Sequence, residues 1–277
     1  MVGSVNANSS AMSALQQLTK TNSALEQTQS RIGSGLKISS ARDNAAIFSV
    51  AQGMRGDANA LDVVKMSLNR ASSIGDTALA AAESISDLLI QLREKATSAT
   101  DPTLKADQRG TYQAEFDAIR DQISDMINAA SFDGVNLLDG SNPNGVEFIA
   151  DPDGSSTLTL VAEDLTLGGP IISLSTSADL STITGASAAL SAVQSSLTNL
   201  NASLARIGAS TQQIENHTTF VTRLQDSLTN GVGELVDADL GRESAMLQSL
   251  QVKQQLSVQA LSIANSSPQT ILSLFQN

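Results

Sequence analysis

The sequence contains no cysteine and no tryptophan, and Tyr112 is its single tyrosine. Without cysteine the chain can form neither a disulfide framework nor a thiolate metal site, which suits a cytosolic protein or one exported independently of redox conditions. Phe, Trp and Tyr together make up only 3% of the residues, so the large side chains that usually fill a globular core are scarce. The core must therefore be built from smaller side chains.

The chain also lacks an excess of positive charge, a long apolar run and the pattern of a Sec signal peptide. Its formal net charge is −12, whereas phosphate recognition needs a basic surface, so no nucleic-acid partner is expected. No stretch reaches about 18 consecutive apolar residues, and no membrane span is predicted. Residues 1–20 have neither a basic nor an apolar region of the signal-peptide type, so export without a Sec signal is expected.

Residue groups that indicate an enzyme or a cofactor site are not recognisable. There is no nucleophile–base pair, phosphate-binding loop or metal-ligand spacing. The single histidine, His217, is predicted on the solvated flank of a helix. Asp139, Asn142 and Asn144 are spaced like calcium ligands. Pro143, however, occupies a position where that loop requires a ligand, so a turn is predicted instead. We expect no enzymatic activity, no metal and no cofactor.

Ala, Leu, Ser, Gln and Asn dominate the composition, a mixture that favours long helices packed side by side. Apolar or small residues recur at every seventh position in two regions, which is typical of coiled coils. In residues 61–92 the two series are Leu61, Leu68, Gly75, Ala82 and Leu89, and Val64, Ala71, Ala78, Ile85 and Leu92. In residues 190–228 they are Val193, Leu200, Ile207, Ile214, Val221 and Leu228, and Leu190, Leu197, Leu204, Thr211, Thr218 and Gln225.

A third helix is predicted after the helix break at Asp101-Pro102, and the three helices are expected to share one rod. Residues 146–150 and 156–162 predict a β-hairpin around the turn sequence DPDG. The Ser- and Thr-rich stretch 168–187 is expected to be a surface excursion. The predicted fold class is therefore mainly α, with a small hairpin.

The two ends of the sequence are apolar and carry few charges. In the N-terminal segment Ala11, Leu18, Leu25 and Ile32 lie seven residues apart. The C-terminal segment predicts a helix with apolar stripes on two sides, which must be buried on both. One stripe comprises Leu240, Met246, Leu247, Leu250, Leu261 and Ala264, and the other comprises Val252, Leu256, Ala260 and Ile263. The N-terminal helix is expected to cover one stripe and neighbouring molecules the other.

Three separate stretches resemble the signatures of bacterial flagellin: RIGSGLKISSARDNAA (31–46), SFDGVNLLDG (131–140) and ANSSPQTILSLF (264–275). The resemblance covers residues 1–140 and 185–277. It implies an inner tube of paired N- and C-terminal helices and an outer tube of long helices with a β-hairpin. Little sequence lies between the two regions, so the chain resembles a minimal flagellin with a short central region.

The resemblance implies a structural subunit of the extracellular flagellar filament, which assembles into a helical tube and acts as the motility propeller. Implied partners are further copies of the chain, sibling flagellins, an export chaperone on the C-terminal helix, and hook-associated and cap proteins. Neither nucleic acid nor membrane is an expected partner. The alternatives are a hook–filament junction protein of the same family and a secreted coiled-coil translocator or adhesin.

The expected division has an N-terminal assembly helix, a connector, a two-part rod with an insertion, and a C-terminal assembly helix. The N-terminal assembly helix comprises residues 1–32 and the connector residues 33–46. The rod comprises residues 47–140 and 185–235, with the insertion 141–184 between its two parts. The C-terminal assembly helix comprises residues 236–277. The expected polymerisation residues are Leu15, Leu18, Leu25, Ile32, Leu247, Leu250, Leu256, Leu261, Ile263, Ile271, Leu274 and Phe275. Gly33 and Gly35 are expected to let the connector bend.

Overall fold

The computed structural model describes the backbone of residues 8–274 and the side chains of residues 8–266. Within that range the helices are α1 (Ser9–Ser34), α2 (Ala45–Ala99), α3 (Ala106–Ala129), α4 (Ile183–Val236) and α5 (Leu240–Leu274). The strands are β1 (Ser131–Phe132), β2 (Val135–Asn136), β3 (Val146–Ile149) and β4 (Thr157–Leu160). The predicted fold class, mainly α with a small β-hairpin, is confirmed.

Side-chain caps explain where most of the helices begin. The Asn8 side chain accepts a hydrogen bond from the third residue of α1, and Asn44 does the same for α2. Thr182 caps α4 and Asp239 caps α5 in the same way. Each cap satisfies a backbone N–H that has no partner inside its helix. At the other end of α1, Gly35 adopts φ 71°, a left-handed conformation that stops the helix.

The chain forms two compact units, each of which combines residues from both halves of the sequence. The central unit comprises residues 57–226. The terminal unit comprises the remaining residues on either side, of which 8–56 and 227–274 are described. Helices α2 and α4 contribute to both units because each runs past a unit boundary.

The core of the central unit follows the predicted heptads closely. All ten residues of the two series in 61–92 are buried, as are five of the six in the first series of α4. A Cβ atom on Gly75 would overlap the Thr211 hydroxyl, so α2 and α4 approach each other closely here, where only a hydrogen fits. The small residues in mid-helix therefore permit a tight crossing.

The second predicted series on α4 is correct at Thr211, which is buried, but is one residue off at its three leucines. Leu190, Leu197 and Leu204 are only half-buried, whereas the positions just before them are buried. The buried series consists of Ala189, Ser196, Ser203 and Ser210. An extended segment lies on this face, with the Val161 N–H donating to the Ser210 hydroxyl over 3.4 Å. The hydroxyls of Ser196 and Ser203 instead donate to carbonyl oxygens of their own helix, which satisfies these buried polar groups.

The stretch expected to be a surface excursion is instead partly packed into the central unit. Four of its apolar members are buried: Ile171, Ile172, Leu174 and Leu180. The Asn199 amide donates to the Ile171 carbonyl oxygen over 3.3 Å, and the Leu180 N–H donates to Gln113 of α3. Serines between these anchors remain exposed. The expectation failed because the apolar residues are isolated among serines and give no helix or strand periodicity.

The remaining elements pack along α2 and α4. An ion pair of 2.7 Å joins Lys95 of α2 to Glu115 of α3. After α3 the chain makes a small hairpin, β1–β2, which the sequence analysis did not predict. His217 of α4 is half-buried, and its Nε2 lies 2.7 Å from the carbonyl oxygen of Ala150, next to the predicted hairpin β3–β4. The expectation that His217 is solvated was therefore wrong.

Candidate assembly surface

Helices α1 and α5 form an antiparallel pair within the terminal unit. The less exposed positions on each helix are spaced alternately three and four residues apart, which is the seam spacing of a coiled coil. On α1 they are Ala11, Ala14, Leu18, Thr21, Leu25, Thr28 and Ile32. On α5 they are Glu243, Leu247, Leu250, Gln254, Ser257, Leu261 and Ala264. One face of each helix is therefore covered by the other helix.

The seam between the two helices is unusually polar for a coiled coil. Thr21 and Thr28 of α1 are its most buried members, and Gln254 and Ser257 occupy equivalent positions on α5. Threonine, serine and glutamine contribute less apolar area than the leucines that stabilise such seams. Pairing of α1 with α5 is consequently weak in comparison with the buried core of the central unit.

Three polar contacts fix the register of the pair along its length. The Asn8 amide donates to the carbonyl oxygen of Ala264 over 2.7 Å. The Gln254 amide donates to the Asn22 side-chain oxygen over 2.9 Å. Near the other end, Arg31 and Glu243 form an ion pair of 3.2 Å. A one-turn slip would break all three, so these contacts specify one alignment.

The other face of α5 exposes a continuous apolar stripe. Val252, Leu256 and Ile263 lie within about 40° of one another at 100° per residue, opposite the seam. Their side chains are 56%, 59% and 66% exposed. The equivalent outer face of α1 is polar, with Gln16, Lys20 and similar residues. We call Val252, Leu256 and Ile263 the outer stripe of α5.

The structure sorts the expected polymerisation residues into three groups. Those in the α1–α5 seam are Leu18, Leu25, Ile32, Leu247, Leu250 and Leu261. Those exposed to solvent are Leu15, Leu256 and Ile263. The side chains of Ile271, Leu274 and Phe275 lie outside the described residues. Leu240 and Met246, expected in the stripe beside Leu247, are exposed rather than covered.

Two further exposed side chains were not recognised as candidates from the sequence. Met12 of α1 is 63% exposed and Val258 of α5 is 51% exposed. Val258 lies on a flank of the pair, and Met12 lies one turn before Gln16 on the otherwise polar outer face of α1, so neither belongs to a periodic apolar stripe. Single apolar residues of this kind carry no pattern signal, and only the orientation of the paired helices reveals them.

The segment between α1 and α2 is hydrogen-bonded to the junction of α4 and α5. The Lys37 N–H donates to the Val236 carbonyl oxygen over 2.7 Å, and the Ala238 N–H donates to the Gly35 carbonyl oxygen over 2.9 Å. A β-bridge between Leu36 and Asp237 lies between these bonds. Gly33, by contrast, lies inside the last turn of α1, and a Cβ atom added there would meet only open space. The bend at the end of α1 is therefore at Gly35.

A small apolar cluster supports this bridge. Ile38 of the connecting segment is buried against Ala51 of α2 and against Val232 and Val236 of α4. Ile38 is 6% exposed, although its neighbours in the segment are mostly exposed. One buried side chain thus anchors a segment that otherwise lies at the surface.

A carboxylate closes the loop that follows Ile38. Asp43 accepts hydrogen bonds of 3.1 Å from the backbone N–H and the hydroxyl of Ser39, and the same pair of bonds from Ser40. These bonds, chiefly the one from the Ser39 N–H, lower the pKa of Asp43 below its usual value. Asn44 then caps α2, so the loop passes directly into the helix.

The described residues contain no arrangement suited to binding a metal ion or spanning a membrane. No three of their His, Asp or Glu side chains cluster as metal ligands. Over its described residues, none of the helices is long and apolar enough to cross a bilayer. A polar cleft of the central unit contains Glu163, whose carboxylate is already bound by Arg206 at 2.8 Å and by Ser203.

Two protein-family models match this sequence. The model of the bacterial flagellin N-terminal helical region matches residues 5–143, and that of the bacterial flagellin C-terminal helical region matches residues 190–275. Together these matches include α1, α2 and α3 at one end and most of α4 with α5 at the other. The residues between them contain the hairpin β3–β4 and the packed segment that follows it.

Curated relatives match over nearly the whole length. Flagellin FljO of Caulobacter vibrioides is 46% identical over 275 residues, covering 99% of this chain and 99% of that protein. A flagellin of Brucella melitensis is 38% identical over 284 residues, covering 99% of this chain and all of the relative.

A putative flagellar hook-associated protein from Vibrio parahaemolyticus has a similar solved structure, with a TM-score of 0.59. It covers 70% of this chain and 100% of its own, at 13% identity, a level that supports similarity of fold alone.

Proposed function

The chain belongs to the bacterial flagellin family and is a structural subunit of the extracellular flagellar filament, and we propose that the outer stripe of α5 holds its subunits together. Flagellins form a structural protein family whose members polymerise.

The observation that carries this proposal is the exposure of the outer stripe. Val252, Leu256 and Ile263 are each more than half exposed on a helix whose other face is already used by α1. A contiguous apolar stripe of this kind indicates a protein-interaction surface. Burying each side chain would contribute up to about 1.5–3 kcal/mol. Contacts of that size, repeated in every subunit, favour a polymer strongly.

The polar seam between α1 and α5 in the monomer supports the same proposal. Because Thr21, Thr28 and Gln254 occupy seam positions, the α1–α5 pair has little apolar burial of its own. Helices with so little tertiary support are marginal in water. We infer that the pair becomes fully ordered when neighbouring subunits cover the outer stripe, so that assembly and ordering are coupled.

The proposal extends to the division of the chain. Residues 1–32 and 236–277 act as assembly segments, 33–46 as the connector, and 47–140 with 185–235 as the rod, with 141–184 inserted between its halves. Ile271, Leu274 and Phe275 join the assembly contacts. Contacts that join unlike surfaces of successive copies and do not close generate a helical polymer. Gly35 fixes the bend at the connector's start.

Further partners are proposed for the same subunit, including one that binds the apolar helix α5. Several similar flagellins occur in one species, for example FljO and FljM of Caulobacter vibrioides, so this subunit is proposed to share its filament with siblings. An export chaperone would cover α5 before export, and hook-associated and cap proteins would contact the subunits at the two filament ends. Export by a route other than Sec completes the proposal.

The test introduces one charge into the outer stripe. Leu256→Glu should leave the melting temperature of the central unit unchanged but raise the critical concentration for seeded polymerisation by at least about tenfold. A tenfold rise corresponds to a loss of about 1.4 kcal/mol of binding free energy per contact. Gln255→Glu, which adds the same charge at the adjacent exposed position away from the stripe, is the matched control and should polymerise normally. Normal filaments of Leu256→Glu would show that the stripe is not an assembly contact.

A further inference from the structure

The loop between β2 and β3 contains an asparagine followed by a glycine, Asn144-Gly145. The backbone forms a tight turn here, closed by a hydrogen bond of 3.0 Å from the Gly145 N–H to the Asn142 carbonyl oxygen. Pro143 and Asn144 occupy the two central positions of the turn, which suit these residue types. Both side chains are exposed, so water has access to the turn.

The conformation of this turn requires a glycine at position 145. Gly145 has φ 77°, which a residue with a side chain rarely adopts. A Cβ atom there would also lie 2.5 Å from the carbonyl oxygen of Leu160 and 2.9 Å from Cγ2 of Thr159, both in β4. The fold therefore excludes a side chain on the residue that follows Asn144.

The missing side chain leaves the amide of Asn144 open to attack by the main chain. In any asparagine, the backbone nitrogen of the next residue can bond to the side-chain carbon Cγ and displace ammonia, which closes a succinimide ring. A side chain on that next residue hinders the approach, whereas glycine does not. Within the part of the chain that the structure describes, no hydrogen bond holds the Asn144 side chain away from the Gly145 nitrogen.

A second pair of the same type, Asn230-Gly231, lies near the end of α4. Asn230 is exposed like Asn144, so water has access to both side chains. In a helix, however, the backbone N–H is bonded to the carbonyl four residues earlier, and the nitrogen cannot reach Cγ unless the helix unwinds. Packing opposes unwinding, because a Cβ atom on Gly231 would lie 2.7 Å from the Met54 methyl carbon, and the adjacent Val232 is buried.

We propose that Asn144 is a site of spontaneous deamidation in the folded protein, that α4 protects Asn230, and that the isoaspartate product at position 144 loosens the start of the β3–β4 hairpin. The Gly145 nitrogen bonds to Cγ of Asn144 while the bond from Cγ to Nδ2 breaks, and ammonia leaves with the proton of the former N–H. Water then opens the ring. Attack on Cγ gives aspartate, and attack on the backbone carbonyl carbon gives isoaspartate.

Isoaspartate changes the path of the main chain at the turn. The backbone then runs through the former side chain and is longer by a methylene group between residues 144 and 145. The bond from Gly145 to Asn142 cannot keep its geometry, because Gly145 is closely packed against Leu160. The first pair of the hairpin, Val146 with Leu160, follows directly and is expected to separate more often. The site is independent of the proposed assembly contacts.

Ageing of the purified chain in water enriched in heavy oxygen tests the first part of the proposal. Each deamidation incorporates a heavy oxygen atom into a new carboxyl group, and mass spectrometry of peptides locates it. In the folded chain Asn144 should react at least about tenfold faster than Asn230, because reaction in α4 requires local unfolding. In denaturant the two rates should become similar.

Two results would overturn this part. In the folded chain, Asn144 would react no faster than Asn230. Alternatively, the same difference in rate would persist in denaturant, so that neighbouring residues rather than the fold would control the reaction.

Variants test the consequence for the hairpin. Freshly purified Asn144→Asp carries the new charge on a normal main chain, so it separates the effect of charge from that of isoaspartate. Amide hydrogen exchange at Gly145 should be several-fold faster in the isoaspartate form than in Asn144→Asp. Asn144→Gln, whose longer side chain closes a ring much more slowly, should keep its original exchange rate during ageing. Equal exchange at Gly145 in the isoaspartate form and in Asn144→Asp would overturn the loosening of the hairpin.

Discussion

The backbone N–H of Ala238 donates a hydrogen bond to the carbonyl oxygen of Gly35, and this bond joins the end of α1 to the start of α5. The two residues lie at the breaks between helices, one near each end of the sequence. Because Lys37 and Val236 form a second bond alongside, neither break can change its backbone conformation without disturbing the other. The joint is a paired element rather than two independent linkers.

Gly35→Ala should weaken this joint. Gly35 has φ 71°, a conformation that costs a residue with a Cβ about 1–2 kcal/mol. We expect faster amide hydrogen exchange at Ala238 in the monomer and a lower yield of filaments. Gly33→Ala is the control, because Gly33 is helical with open space around it, and it should be neutral or slightly stabilising. Equal exchange at Ala238 in both variants would contradict the role of Gly35.

Acid should release the loop closed by Asp43. Its pKa is lowered in the folded chain, so the carboxylate's contribution is complete above the ordinary value of 3.8 and is lost as pH falls through the lowered pKa. Amide exchange at Ser39 and Ser40, corrected for its intrinsic pH dependence, should therefore lose protection below that range. Asp43→Asn should lack this protection at neutral pH already. Unchanged protection in Asp43→Asn would show that the carboxylate does not hold the loop.

Gly75→Ala should destabilise the central unit. The new methyl group would overlap Thr211, and overpacking of this kind costs about 1–3 kcal/mol. Thermal unfolding followed by circular dichroism should show a lower melting temperature. Thr211→Ala removes the overlapping atoms, so the double variant should recover part of the loss. Additive effects of the two changes would mean that the helices do not meet at this point.

Deleting residues 266–277 should abolish polymerisation while residues 47–235 remain folded. The deleted segment contains Ile271, Leu272, Leu274 and Phe275, whose burial by neighbours could contribute up to about 1.5–3 kcal/mol each. Helical circular dichroism of the monomer should stay close to that of the full chain. Filaments of normal length would exclude the tail as an assembly element, and loss of the helical signal would mean that it packs on its own subunit.

The parts of the fold predictable from the sequence are those that repeat along one helix. The series that begin at Leu61 and Val64 place every member in the core because their spacing is a local property. On α4 the leucines suggested the wrong companion series, because the larger apolar side chains were expected to be the buried ones. The series Ala189, Ser196, Ser203 and Ser210 was equally periodic and marks the face that receives an extended chain.

What the sequence could not provide is which of two apolar faces meets which partner. Both stripes of α5 were visible, but only the structure shows that Leu250 faces α1 while Leu256 does not. Partner assignment depends on contacts between residues far apart in sequence, which periodicity does not encode.

The bond from Asn8 to Ala264 spans 256 positions of sequence, and this distance sets an order of events. Helix α1 is made before α2, α3 and α4, whereas its partner α5 follows them. Until α5 has been delivered, α1 lacks the helix with which it pairs. An interrupted chain therefore cannot complete the helix pair, which confines its formation to the moment when a full-length subunit arrives.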